Sequence, residues 1–212
     1  MPIKRASARE QIKDILLERI LEGVYKPGER LVELQIAQEF DTSQAPVREA
    51  FRFLEAMRVI ETQPYKGTYV RSISDRELKE SSQVRSALEQ LAAELAASHF
   101  KANAKELEEE ARQFIAAAKK KDFAKYSLHD MAFHRLIVEA SGNEQLLSIW
   151  ESVVLESRFR KTLAKIGEGQ LAEFGEAHLP VMERLAEGDG KGAGKLLKAL
   201  ICKFHGLNQS ET

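Results

Sequence analysis

The chain has 212 residues, 32 Lys and Arg against 33 Asp and Glu, with 43% hydrophobic and 31% charged residues. That is enough for one or two modest domains, each burying a real core. The net charge of -1 argues against a wholly basic coat for nonspecific nucleic-acid binding but leaves room for a local basic face. No run of about 18 apolar residues occurs, and the start, MPIKRASARE, lacks the apolar stretch of a signal peptide. Membrane-spanning functions are therefore excluded and a cytoplasmic protein is expected. Cys202 stands alone, without a disulfide partner or a CxxC motif, so any metal site must draw on His, Asp or Glu.

In chain order, Ile12, Ile15, Leu16, Ile20 and Leu21 recur at helical spacing and predict an amphipathic helix over 10–22, ended by Gly23 and the turn 25–28. A short helix over 32–40 follows. After Asp41 and Thr42, Ser43 is positioned to cap a third helix over 44–58. Pro46 is tolerated in its first turn because those amides have no intrahelical acceptor. Two β-branched and aromatic runs, 59–63 and 68–73, flank Pro64-Tyr65-Lys66-Gly67 and read as a hairpin.

No strand is expected after it. Residues 1–75 and the remainder are both close to charge-balanced, so pattern and not charge places the boundary, at 73/74. From there six helices are predicted, over 75–99, 103–120, 123–140, 143–166, 168–187 and 190–206. Ser74-Asp75, Asn103, Asp122, Asn143 and Asp189 would start helices, and Gly142, Gly167 and Gly188 would close them. The fold class is mainly α: a winged helix-turn-helix with a small β-hairpin over 1–73, and an all-α bundle of six to seven helices over 74–212. The stretch GDGKGAGK lacks the GK[ST] ending and preceding strand of a phosphate loop and reads as a poor helix start.

Two helices joined by a tight polar turn and followed by a hairpin can present the second helix, amino end first, to a DNA major groove. Ser43, Gln44 and Arg48 lie at that end, with Arg52 one turn on. Arg suits guanine, Gln suits adenine, and Ser suits phosphate. Residues 42–74 carry five Lys and Arg to three Glu, and Lys66-Gly67 at the hairpin tip would suit a wing approaching the backbone. The plainer alternative pairs Arg48 and Arg52 with Glu49 and Glu55 on a solvated helix face.

In the bundle, Asp130 and His134 are four apart on one helical face that also carries Phe123, Ser127 and Ile137. An inward carboxylate and imidazole need a partner, and a divalent cation is one. His178 shares a stripe with Leu171, Phe174, Val181, Met182 and Leu185 and should also point inward. His129 and His99 lie off the Asp130 stripe. A hydrogen-bonded cluster without metal satisfies the same pattern.

Over about 60 residues the amino-terminal segment resembles the DNA-binding domain of the GntR family of bacterial transcription regulators. The resemblance rests on Gly23, Pro27-Gly28-Glu29-Arg30-Leu31, Ser43, Pro46-Val47-Arg48-Glu49-Ala50 and Gly67-Thr68-Tyr69-Val70. It implies that Arg30, Ser43, Arg48, Lys66 and Gly67 belong to the DNA-binding surface, with Arg48 the base reader. Gln44 departs from the family, which usually has Arg there, and this implies a shifted operator preference.

Residues 75–206 resemble the helical FCD ligand-sensing domain of the FadR branch of that family. Val84-Arg85 with Leu88-Glu89, Asp130-Met131-Ala132-Phe133-His134, Ser141-Gly142-Asn143, Glu176-Ala177-His178 and Gly188-Asp189 carry the likeness. It implies a metal held by Asp130, His134 and His178 (zinc, nickel or manganese), a small carboxylate effector beside it, and Arg85 lining the effector pocket. An ion pair between Arg85 and Glu89 is the other reading of that arginine. Leu200 falls where the family's last histidine ligand is expected, and His205, five residues on, is rotated by about 140° from that position. The function expected is a metabolite-responsive repressor that binds a palindromic operator as a homodimer. A metal-dependent helical enzyme and a DNA-binding dimer with a metal-free pocket are the competing readings.

Overall fold

The structure, a computed structural model, describes residues 7–161 and 170–204. In chain order the elements are α1 (Ala8–Leu21), β1 (Arg30–Leu31), α2 (Glu33–Glu39), α3 (Gln44–Ala56), β2 (Ile60–Gln63) and β3 (Gly67–Val70). The helices α4 (Asp75–Ala102), α5 (Lys105–Lys119), α6 (Phe123–Ala140), α7 (Glu144–Lys161), α8 (Gln170–Glu176), α9 (Leu179–Glu187) and α10 (Gly190–Phe204) follow. The chain divides into two compact units. Among the described residues, the first is built on those up to Asp75 together with α7 from Leu155 on, and the second on Arg76–Val154 and those from 170 on.

In the first unit the apolar face of α1 (Ile12, Leu16, Ile20) is buried with Val47, Ala50, Phe51 and Leu54 of α3. Each fully buried aliphatic or aromatic side chain there contributes roughly 1.5–3 kcal/mol. The strands form an antiparallel sheet in the order β1-β3-β2, with Arg30 opposite Tyr69, Leu31 opposite Thr68, and Ile60 opposite Val70. The hairpin 60–70 was expected; β1 was not, because two residues are too short to show a period of two. Ser43 occupies the N-cap position of α3 with extended backbone, but its side chain makes no capping bond.

The second unit places Phe114, Tyr126, Phe133, Ile137, Trp150, Leu185 and Leu197 in one core against the alanines Ala92, Ala93 and Ala96 of α4. Asp122 caps α6 by accepting from the Lys125 amide at 3.1 Å, and Asn143 and Asp189 accept from Leu146 and Gly192 at the starts of α7 and α10. The helix expected over 168–187 is two helices: α8 ends at Glu176 and α9 begins at Leu179 with a proline in its first turn. Pro180 has no amide hydrogen, and its ring would clash with the carbonyl four residues back, so one continuous helix cannot pass. Gly167 and the end of the helix expected to 166 lie outside the described residues.

The glycines of GDGKGAGK have a packing role that a weak helix start does not convey. A Cβ on Gly190 would stand 2.8 Å from Ala97 Cβ and 2.9 Å from the Ala93 carbonyl oxygen, and one on Gly194 would stand 2.7 Å from the Gln90 carbonyl oxygen. The spacing of four residues puts both glycines on one face, and α10 lies directly on the α4 backbone through them.

Candidate functional site

The first unit carries one group of expected functional residues. Ser43, Gln44, Arg48 and Arg52 are all exposed along the amino-terminal two-thirds of α3. The alternative pairing of Arg48 with Glu49 is not made. Arg48 instead donates to Glu33 at the start of α2, from Nε at 3.1 Å and from a terminal nitrogen at 2.8 Å. Glu49 takes Arg9 at 3.1 Å, and Glu55 accepts the Thr62 amide at 2.9 Å, so neither acid is held as expected. The Arg48 side chain is 56% exposed, and an ion pair that wet is weak enough for a nucleic-acid acceptor to replace it.

At the hairpin, Lys66 is exposed and Tyr69 Oη donates to the Lys66 carbonyl at 3.0 Å, which fixes the tip. Gly67 has φ 113°, and a Cβ there would come within 2.9 Å of Arg30 Nε. The tip therefore requires glycine twice, for its left-handed backbone and to let the Arg30 side chain lie across it.

The second group is the buried centre of the bundle. One turn apart on α6, Asp130 and His134 meet His178, which sits in the break between α8 and α9; a ligand atom of each lies within 4.8 Å of the others. His178 Nε2 is 3.4 Å from Asp130 Oδ1 and 3.3 Å from His134 Nε2, and His134 Nε2 is 3.8 Å from Asp130 Oδ1. All three residues are buried.

The outer partners fix which ring atoms face inward. His178 Nδ1 is 2.8 Å from the Phe174 carbonyl, an acceptor only, so this nitrogen carries a proton. His134 Nδ1 is 2.5 Å from Glu89 Oε2. Glu89, fully buried, also accepts Arg85 Nε at 2.5 Å and Trp150 Nε1 at 2.7 Å on its other oxygen. Burial alone would raise its pKa, but the Arg85 guanidinium and the His134 ring outweigh that and hold the carboxyl well below the usual carboxylate range. An ionised Glu89 accepts the His134 Nδ1 proton. Both Nε2 lone pairs therefore point at each other and at the Asp130 carboxylate, an arrangement that calls for a cation: a divalent metal, or one proton shared between the rings.

Arg85 makes the buried ion pair with Glu89 and spends its Nε there. Glu89 is the residue sequence reasoning undervalued. The signal was present, since residues 82, 85, 86, 89, 93 and 96 trace one buried face of α4. Tyr126, one turn before Asp130, also belongs to the centre: its buried hydroxyl lies against the Asp130 carboxylate, within reach of it. Burial and the Asp130 charge push this phenol above its ordinary range. His129 instead pairs with Glu110 at 2.7 Å, and His99 is exposed on α4. Leu200 is buried on α10, and His205 lies outside the described residues.

Comparison with known proteins agrees with both halves. Residues 8–70 match the family model of bacterial regulatory proteins of the gntR family, and residues 80–202 match that of the FCD domain. The probable D-xylose utilization operon transcriptional repressor of Paenarthrobacter nicotinovorans is 32% identical over 187 residues, covering 88% of this chain and 82% of its own. The gluconate operon transcriptional repressor of Bacillus licheniformis is 29% identical over 161 residues, covering 73% of this chain and 65% of its own. The solved structure of Escherichia coli McbR/YncC superposes with a TM-score of 0.82 at 23% identity, over 96% of this chain and 97% of that one, which shows a shared fold. The chain therefore belongs to the GntR family of bacterial transcription regulators, with an FCD domain following its winged helix-turn-helix.

Proposed function

We propose that this regulator is a repressor whose affinity for a palindromic operator is set by a small carboxylate bound in the bundle beside a divalent metal. The observation that carries the sensing half is the convergence of two imidazole Nε2 atoms and one carboxylate, with each imidazole held from outside through its Nδ1. That donor set fits zinc, nickel or manganese, held by Asp130, His134 and His178 with oxygen ligands completing the shell. A bound ion would supply a positive centre for a carboxylate in an otherwise low-dielectric core. The two relatives above carry repressor names tied to D-xylose utilization and to gluconate, which supports a repressor answering to a product of sugar metabolism.

A homodimer would present two winged heads to two half-sites. On α4, Val84, Leu91 and Leu95 are exposed at 47%, 45% and 46%, with Leu88 between them half-buried. Their spacing of four, three and four reads the same in both directions, so two antiparallel copies of this stripe would match apolar residue to apolar residue.

Within the head, Arg48 would read a guanine, Gln44 an adjacent base and Ser43 a phosphate, while Arg30, Arg52, Lys66 and Gly67 would approach the DNA backbone. Selection from a randomised duplex pool tests this reading. The wild-type chain should enrich a two-fold symmetric sequence, and Gln44→Arg should enrich a different base in each half-site. Identical enriched sequences would remove Gln44 from the reading head, and no enrichment by the wild type would overturn the operator reading itself.

The 3.3 Å between His178 Nε2 and His134 Nε2 also suits a shared proton. This is the specific support for the second reading, a metal-free polar cluster in a plain DNA-binding dimer.

A further inference from the structure

We propose that Tyr65, at the tip of the β2–β3 hairpin, enters the DNA minor groove beside the major groove taken by α3 and selects A·T pairs there. The inference rests on the operator reading above and deepens it, by giving the hairpin a base-reading residue where that reading has only backbone contacts.

Residues 63–66 make the turn. The Lys66 amide donates to the Gln63 carbonyl at 3.1 Å, Pro64 takes the second position, and Tyr65 takes the third with φ 64°. Proline followed by a left-handed residue is the type II pattern, whose third position favours Gly or Asn because a larger side chain is strained there. Asp41, Arg58 and Lys121 also have positive φ, but each stands just past the end of a helix, where a left-handed residue closes the last turn; Tyr65 does not. Nor does packing offset the strain. At 109% exposure Tyr65 is as bare as in a free peptide, the most exposed large apolar or aromatic side chain among the described residues. A turn that departs from its own residue preference and buries nothing by doing so points to a use outside the chain.

The tip holds the ring out on a fixed base. Tyr69 Oη donates to the Lys66 carbonyl at 3.0 Å, the Thr62 and Thr68 hydroxyls stand 3.3 Å apart across the hairpin, and the Arg30 side chain lies over Gly67. Tyr65, Lys66 and Arg30 are all exposed on it. A tip ordered in advance loses little freedom on binding.

The chemistry selects the partner. Lys66 and Arg30 put positive charge beside the ring, which suits phosphates, and Tyr65 adds an O–H donor on a flat apolar body. Glu61, the nearest acid along the hairpin, already accepts from the Gln63 side chain at 3.0 Å. An A·T pair presents only acceptors in the minor groove, whereas guanine adds an amino donor, and runs of A·T narrow the groove and deepen its negative potential. A donor-bearing wedge between two cations therefore prefers A·T.

The test repeats the selection from randomised duplex with full-length wild-type and Tyr65→Asn proteins, in a pool that includes the flanks of both half-sites. Asparagine accepts a left-handed backbone, so the variant should melt within about 4 °C of the wild type and keep its oligomeric state. The wild type should enrich A·T beside each set of bases read by α3. Tyr65→Asn should enrich the same α3-read bases and lose the flanking preference. On the selected operator the variant should bind about 25-fold more weakly, about fivefold from each wing. Replacing the flanking A·T by G·C should weaken the wild type by a similar factor. Inosine·cytosine, which lacks the guanine amino group in the minor groove, should restore it, and the variant should bind all three alike.

An unchanged flanking preference in Tyr65→Asn overturns the inference and leaves the operator reading standing. So does inosine·cytosine binding as weakly as G·C, which would place the discrimination in the major groove. A variant that melts far lower, or changes its oligomeric state, assigns the ring to a contact within the protein or between copies and also overturns it. A wild type that enriches no sequence overturns the operator reading, and the inference with it.

Discussion

Glu89→Ala is expected to destabilise the second unit by about 3–5 kcal/mol, the cost of stranding a buried charge after its partner is removed. Arg85 is 2% exposed on its side chain and would be left with an uncompensated guanidinium in the core. His134 and Trp150 would lose their acceptor at the same time. Trp150, the single tryptophan of the chain, donates to this carboxylate, so its fluorescence reports on the unit in which the damage occurs. The midpoint of urea unfolding followed at Trp150 should fall sharply. The double variant Arg85→Met with Glu89→Leu should recover much of the loss, because an apolar pair of similar volume avoids both the stranded charge and the desolvation of the ion pair. A Glu89→Ala midpoint within experimental error of the wild type would show that the guanidinium finds water or another acid, and that the buried network is not what holds α4 to α6.

The second large effect falls on the other unit. Arg48→Ala should weaken binding to the selected operator by about thirtyfold or more, because a bidentate arginine to guanine contact is worth about 1–3 kcal/mol and the homodimer loses one in each half-site. The same change leaves Glu33 exposed without its cation, adding repulsion toward the DNA backbone. Binding to scrambled duplex should fall much less, since that affinity is set by phosphate contacts summed over the surface. Glu33→Gln separates the two contributions: it releases Arg48 from its ion pair and should tighten operator binding. Equal losses on operator and scrambled duplex would make Arg48 a phosphate contact and not a base reader.

Much of this molecule is legible in the sequence because its signals are local. The four-residue spacing of Ile12, Leu16 and Ile20, the turn residues around Lys66-Gly67, and the four-residue step from Asp130 to His134 are read directly from neighbours in the chain. Pairings across the chain are not legible in the same way. The Arg48 partner is Glu33, fifteen residues away on another helix, and nearby Glu49 offered a false alternative. Glu89 meets His134 from 45 residues away and Trp150 from 61, so its three-donor role needs tertiary structure.

The break at His178 was within reach. Pro180 was visible, but the apolar stripe on both sides of it favoured one long helix, and the proline rule outranks periodicity. Gly190 and Gly194 mislead for the opposite reason: low helix propensity was taken at face value, whereas close backbone approach to α4 demands the missing side chains.

These pieces converge on one claim, that a ligand held in the bundle changes the affinity of the winged heads for DNA. The direct measurement is the dissociation constant of the full-length protein for its selected operator, titrated by fluorescence anisotropy with zinc-loaded and metal-free protein, each with and without succinate, gluconate and acetate. A coupling of about 1–3 kcal/mol, or roughly 5- to 150-fold in affinity, is predicted for at least one carboxylate with the zinc-loaded protein, and none without metal. One operator affinity shared by every condition would contradict the claim and leave the chain a DNA-binding dimer with a structural polar core.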